Sequence, residues 1–267
     1  MEILKVDNYS VTYDGEHNAA DHVSFSMQEG DIVCIVGESG SGKSTVLHGI
    51  LGLPSPGAVT KGHISVFGKD VFSMSKAELL KMRGEQVAMI FQDTGRYLNP
   101  ISRIGNQFDM FLGYHMSGGR EAMRALEEDA LQKVHLPDAK RVLSSYPFEL
   151  SGGMRQRVGI AMAMSLKPKL LLGDEPTSAL DVTVQAQVVR QMMDLRDQYG
   201  TSLLIVTHNM GVAAYMSDYI GVMQQGRLVE WGRTEDVISH PQTAYTQKLL
   251  KAVIGIEDER IKERAAV

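Results

Sequence analysis

The nine residues Gly37-Glu38-Ser39-Gly40-Ser41-Gly42-Lys43-Ser44-Thr45 fit G-x-x-x-x-G-K-[ST], the spacing of a phosphate-binding loop. Gly37, Gly40 and Gly42 let backbone N–H groups turn inward and approach a polyphosphate closely. Lys43 can reach the β- and γ-phosphates, and the Ser44 hydroxyl can ligate Mg²⁺. Two acids stand together further on. Asp174 and Glu175 close the apolar run Leu170-Leu171-Leu172-Gly173, which is hard to explain as solvated decoration. Asp174 is placed to hold Mg²⁺, often through water. Glu175 could polarise a water for in-line attack on a γ-phosphate. Gln92 and His208 close two more apolar runs.

These residues need a frame that delivers them to one place. Asp31-Ile32-Val33-Cys34-Ile35-Val36 is a short, β-branched apolar run and reads as a buried strand. Thr45 to Leu51 can continue as a helix, whose N-terminus adds its dipole and unpaired amides. Val87 to Phe91, Leu170 to Gly173 and Ser202 to Thr207 are further buried strands. In a parallel α/β sheet the ligand lies at the carboxyl ends of the strands. Gln92, Asp174 and His208 occupy such ends, though a lone histidine is more often structural.

The remaining chain is read around that core. Ile3 to Val6, Tyr9 to Tyr13 and His22 to Met27 are β-rich, with a turn at Asp14-Gly15. Tyr13 could stack on an adenine ring, and the same spacing fits an ordinary strand tyrosine. Gly62 to Gly68 is a strand between glycine turns, and Ser75 with Glu78 forms a capping box that opens a helix. Strand-like runs vanish over 93–165, where the pattern is helical, most clearly from Gly118 to Val134. That stretch is a helical insertion, and His115 and His135 within it have no partner at metal-ligand spacing. Ser151-Gly152-Gly153 opens an amphipathic helix, which suits a second anion-binding helix start and equally an ordinary N-cap. Val182 to Arg196 is helical, Tyr219 to Glu230 is a hairpin turning at Gln225-Gly226, and a helix spans Ala244–Val253 before a charged tail.

The chain has 267 residues and a net charge of −5, which argues against a broad nucleic-acid-binding surface. Its one cysteine, Cys34, lies in a buried strand, so no disulfide forms within one chain and a reducing compartment is the simpler setting. The start shows no secretory pattern, and no run approaches the length of a membrane helix. Any membrane span must come from another chain. The sixteen methionines suit core gaps and an adaptable partner surface.

Taken in order, these motifs resemble the nucleotide-binding subunit of ABC transporters. Gly37–Thr45 looks like its Walker A loop, Gln92 its Q-loop residue, and Leu150-Ser151-Gly152-Gly153-Met154 its signature. Leu170–Asp174 looks like Walker B, Glu175 the catalytic glutamate, Ser178-Ala179-Leu180-Asp181 the D-loop, and His208 the switch histidine. Tyr13 matches the adenine-stacking aromatic. Gly173 stands where many members have alanine. Longer matches, at Leu98-Asn99-Pro100, Tyr146 to Arg157, Ala179 to Gln187 and His240-Pro241 with Tyr245-Thr246, are similar to the dipeptide, oligopeptide and nickel importer subfamily. Longer peptide-importer subunits continue into a cysteine-bearing extension. This sequence stops soon after Leu250 with no cysteine there, which points away from an iron–sulfur cluster and toward the shorter nickel- or metallophore-type members.

The resemblance implies an α/β fold, a P-loop NTPase RecA-like core with an antiparallel β subdomain and a helical insertion. One ABC ATPase domain would span 1–254, with its helical subdomain at about 93–165 and a short charged tail at 255–267. Two such subunits would pair head to tail, with ATP between Walker A of one and the signature of the other. Ser151, Gly152 and Gly153, with Asp181, would face the nucleotide held by the partner's Lys43 loop. Mg²⁺ would be held by Ser44, Gln92 and Asp174, while Glu175 would activate water and His208 would sense the γ-phosphate. The implied partners are a second, paralogous ATPase subunit, two transmembrane permease subunits and an extracytoplasmic substrate-binding protein, at the cytoplasmic face of the inner membrane. The segment near Asp93–Gln107 would pass motion to the permease. The alternative is a soluble ABC-type ATPase; those usually carry a coiled-coil insertion or two fused cassettes, and neither is visible here.

Overall fold

A computed structural model describes residues 1–13, 18–92, 94–116, 119–178 and 180–252. The expected Asp14-Gly15 turn, Asp93, Gly118, Ala179, Val253 and the charged tail lie outside the described residues. The chain forms two compact units: Met1–Ser73 with the chain from Val206 onward, and Met74–Ile205. The helical stretch 93–165 falls inside the second unit.

The first unit begins with β1 (Glu2–Thr12) and β2 (Asn18–Gln28), paired antiparallel from Glu2↔Gln28 to Thr12↔Asn18. The two β-rich pieces expected at the start are one strand. Its pairing shifts register between Val6 and Tyr9, where Asn8 takes a φ of 54°, so the alternation breaks there and the sequence reads as two. Next come β3 (Ile32–Val36), buried along its whole length, and α1 (Lys43–Ile50). β4 (Val59–Val66) and β5 (Lys69–Asp70) complete an antiparallel sheet in the order β2-β1-β4-β5. Tyr9 on β1 is fully buried, and its ring lies where a side chain on Gly49 of α1 would stand. Glycine there lets the helix close on the sheet.

The second unit opens with α2 (Lys76–Glu85), whose capping box is present: the Glu78 N–H donates to Ser75 Oγ and the Ser75 N–H to the Glu78 carboxylate. It continues through β6 (Val87–Ile90), α3 (Thr94–Tyr97), α4 (Ile104–His115), α5 (Arg120–Lys133), α6 (Ala139–Ser144), α7 (Gly152–Ser165), β7 (Leu170–Asp174), α8 (Val182–Tyr199) and into β8 (Ser202–Thr207). Among the described residues no strand lies between β6 and β7, as the helical pattern predicts. α8 runs beyond the expected Arg196 because the stop is Gly200, whose φ of 69° ends the helix. β6 and β7 are parallel neighbours, Val87↔Leu170 to Ile90↔Gly173, which sets the residues after both strands side by side.

The chain returns to the first unit with α9 (Met210–Met216), β9 (Tyr219–Gln224), β10 (Arg227–Arg233) and α10 (Thr234–Ser239), and residues 244–252 are helical. The hairpin turns at Gln225 (φ 48°) and Gly226 (φ 81°), positive at both central positions as a two-residue primed turn requires. β3 lies parallel to β9, Val33↔Tyr219 to Val36↔Val222. Cys34 is buried, and burial pushes its thiol up to about 12, consistent with a small core hydrophobe. Among the described residues no helix is long and apolar enough to cross a membrane.

One buried acid in the second unit stands out. Glu127 on α5 is fully buried; Arg124 Nη1 donates to its Oε2 at 3.2 Å, and Oε1 has no hydrogen-bond partner among the described residues. Burial first, then Asp109, push its carboxyl up to about 7, partly offset by Arg124. A folded-state pKa above the unfolded value of 4.5 means stability that is complete below that pH and is lost as pH rises toward 7. Glu127→Gln should therefore gain about 1–3 kcal/mol over the parent at pH 8 and little at pH 4.5, read by urea unfolding at both. An equal effect at the two pH values would contradict the buried-acid assignment.

Candidate active site

Each unit holds its own candidate residues at strand ends and helix starts. In the first, the glycine loop joins β3 to α1. Gly42 is the N-cap of α1 with a φ of 97°, and a Cβ there would meet the Ala19 carbonyl oxygen at 2.1 Å. Only glycine satisfies both the left-handed backbone and the approach of β2. The helix start has no side-chain cap, so its amides are not taken up by a capping side chain. Lys43 is buried at 5% exposure and folds back over the loop, donating from Nζ to the Gly37 carbonyl at 2.9 Å, the Glu38 carbonyl at 2.8 Å and Ser41 Oγ at 3.3 Å. The ammonium thus ties the loop into a ring. Tyr13 lies just past the end of β1, exposed, with its hydroxyl 3.2 Å from Thr45 Oγ1. That sets its ring beside the loop. His208 is exposed and directly follows β8.

In the second unit the acids are where the strand ends predict. Asp174 is the last residue of β7 and is buried. Glu175 follows with a φ of 45°, a left-handed conformation that non-glycine residues rarely hold. Such strain persists only where its surroundings enforce it, and it concentrates at functional sites. The enforcement is visible: Ser178 donates to the Glu175 carbonyl from both N–H (3.2 Å) and Oγ (3.1 Å). Gln92, two residues beyond β6, donates from Nε2 to Glu175 Oε2 at 3.3 Å. The parallel register of β6 and β7 makes that contact.

Ser151 caps α7, accepting from the Met154 N–H at 3.2 Å, and Asp181 caps α8, accepting from the Val184 N–H at 3.0 Å. Both are ordinary caps in their geometry and both are exposed, as is Gly152, while Gly153 is half-buried. Of the arginines that follow, Arg155 secures the loop before α7 by donating to the Leu150 carbonyl at 2.7 Å, and Arg157 reaches the end of α5 by donating to the His135 carbonyl at 2.7 Å.

Gln156 is the residue that sequence reasoning passes over. It is buried, and its Nε2 donates to the Pro176 carbonyl at 2.8 Å and the Phe91 carbonyl at 3.3 Å while its Oε1 accepts from the Thr94 N–H at 3.2 Å. One amide thus joins the helix of Ser151 to the segments flanking Gln92 and Glu175. The available signal was a polar residue on the apolar face of α7, between Ile160 and the helix start. Gln156→Leu removes the partner of the Thr94 N–H and of the Pro176 carbonyl, both buried contacts, while the Phe91 carbonyl keeps Thr94 Oγ1, and it should cost about 2–4 kcal/mol in denaturant unfolding. An unshifted midpoint would remove Gln156 from this role.

A left-handed acid at a strand end, an amide donor upon it, and a lysine-bearing glycine loop between strand and helix define a phosphate-loop nucleotide hydrolase of the α/β class. A family model described as ABC transporter matches residues 20–178. The chain is 45% identical to a probable D,D-dipeptide transport ATP-binding protein of Escherichia coli, DdpD, over 90% of this chain and 74% of that one. It is 40% identical to the dipeptide transport ATP-binding protein DppD of Escherichia coli, over 100% and 82% of the two chains. Among solved structures, a dimeric ATP-binding cassette in a post-hydrolysis state with ADP and phosphate superposes with a TM-score of 0.78 at 27% identity, covering 87% of this chain and 99% of the other. The chain belongs to the ABC transporter family. It is an ATP-binding subunit of that family and an ATP hydrolase, with the expected P-loop nucleotide-binding fold.

Proposed function

We propose that this chain powers the import of peptides as one ATPase of a heteromeric transporter. Support for the cargo class comes from DdpD and DppD, whose names speak of dipeptides; nickel, toward which the sequence leaned, enters neither name. The observation that carries the membrane connection is a set of exposed apolar side chains on the second unit's helical stretch. Tyr97, Ile101, Met110, Tyr114 and Phe148 are all solvent-exposed, a set of large side chains suited to docking on another chain. In this reading the chain sits peripherally at the cytoplasmic face of the inner membrane, beside two permease subunits, a paralogous ATPase and an extracytoplasmic binding protein.

ATP binds the Gly37–Thr45 loop with its adenine on Tyr13, and the Ser151-Gly152-Gly153 start and Asp181 complete the partner's site in trans. The oxygen donors of Ser44, Gln92 and Asp174 form a hard set that suits Mg²⁺, which would neutralise charge developing on the phosphates. Glu175 holds the attacking water and takes its proton, with Gln92 fixing the carboxylate's direction and His208 reading the γ-phosphate.

The test is a tagged pull-down from detergent-solubilised membranes, with co-purifying chains identified by mass. Two permease chains and a second ATPase are the expected partners, and the associated binding protein should then take up peptides in preference to nickel chelates. Recovery of the chain alone or with a soluble partner, where a control transporter survives, would replace this reading with a soluble ABC-type ATPase.

A further inference from the structure

The segment around His240-Pro241 and Tyr245-Thr246 supplies none of the candidate catalytic or metal-binding residues, yet it touches the phosphate loop. The Tyr245 hydroxyl accepts a hydrogen bond from the Glu38 backbone N–H at 3.0 Å. Tyr245 is only 9% exposed, so this bond is partly shielded from water although Glu38 itself is exposed. The opposite face of the same residue is held as well: the Glu38 carbonyl accepts from Lys43 Nζ at 2.8 Å and from the Ser41 N–H at 3.2 Å. Glu38 is therefore pinned through its N–H by the helical residues 244–252 and through its carbonyl by the lysine that reaches for phosphate. A second link, Lys248 Nζ to Glu38 Oε1 at 3.1 Å, is exposed at both ends and adds little.

Tyr245 is itself fixed from behind. Glu230 on β10 accepts from the Gln242 N–H at 2.8 Å, the Thr243 N–H at 3.1 Å and Thr246 Oγ1 at 2.6 Å. Burial alone would raise the Glu230 carboxyl, and these donors hold it below the usual carboxylate range. One carboxylate thus satisfies the helix start and sets the rotation of the turn that carries Tyr245. Thr246 is fully buried, which locks that turn to β10.

We infer that Tyr245 is a positioning residue for nucleotide binding, and that Glu230 acts through it: the segment after His240 presets the entrance of the phosphate loop so that less ordering is left for ATP to impose. This rests on the reading of the Lys43 loop as the nucleotide site. A preset loop favours bound substrate and transition state alike, so its loss should appear in KM and in the ATP dissociation constant, with kcat nearly unchanged.

The experiment titrates ATP by calorimetry into the full-length chain and measures KM and kcat of the co-purified assembly, for the parent, Tyr245→Phe, Glu230→Gln and the double variant. Melting curves confirm that each is folded. Tyr245→Phe, which removes one oxygen, should weaken ATP binding and raise KM about three- to tenfold, the effect of one net hydrogen bond. Glu230→Gln should do the same alone and add less than twofold in the Tyr245→Phe background. Unchanged KM and affinity in folded Tyr245→Phe, or fully multiplicative effects in the double variant, would overturn the inference. Lys43→Ala is measured alongside: if it binds ATP like the parent, the reading of the loop itself fails, a result separate from the behaviour of Tyr245.

Discussion

Glu175→Gln should bind ATP as the parent does and lose steady-state hydrolysis by about 10²–10⁴-fold, the range that a positioned general base contributes. The substitution keeps size and leaves an amide in place of the carboxylate, so it removes proton acceptance and little else. The left-handed backbone at position 175 is secured by Ser178 upon its carbonyl, not by the side chain, so the fold should be unaffected. Gln92 can still donate to the new amide oxygen, which preserves the Gln92–Glu175 contact. With ATP bound and uncleaved, the two ATPase subunits should remain paired, visible as an ATP-dependent larger species in light scattering. Parental turnover in this variant would remove Glu175 from its assignment.

Lys43→Ala should weaken ATP binding about 100-fold or more. Hydrogen bonds between charged groups contribute about 1.5–3 kcal/mol each, and the ammonium addresses two phosphates. A second loss adds to this. Lys43 bridges the Gly37 and Glu38 carbonyls and Ser41 Oγ, so its removal also loosens the loop. Calorimetric titration with Mg·ATP reads the effect; an affinity within threefold of the parent would contradict the loop's role.

Much of this site was legible because its chemistry is local in sequence. The glycines, lysine and hydroxyls of the loop occupy consecutive positions, and the acids sit at the end of an unbroken apolar run that could only be a buried strand. Positions at strand ends inherit their place from sheet topology, and Gln92 and Glu175, which follow the neighbouring parallel strands β6 and β7, are joined by a hydrogen bond. What escaped were residues whose meaning depends on distant backbone. Gln156 is one polar side chain in an apolar helix face, and nothing near it in sequence names Phe91 or Pro176 as its partners. Tyr245 stands 207 positions from Glu38, and no local pattern links them. β1 read as two strands because the irregular pairing near Asn8 interrupts the alternation on which strand reading depends. The helices α3 and α4 were seen only as a region without strands, their short runs broken by Pro100 and Gly105.

The most direct measurement follows γ-³²P-labelled ATP in a single turnover, comparing the parent with Lys43→Ala and Glu175→Gln in the same assembly. The parent should retain nucleotide and release labelled phosphate. Glu175→Gln should retain the label uncleaved, and Lys43→Ala should retain almost none. Phosphate release from Glu175→Gln at the parental rate, or full retention by Lys43→Ala, would contradict the claim that the Lys43 loop binds the ATP that Glu175 hydrolyses.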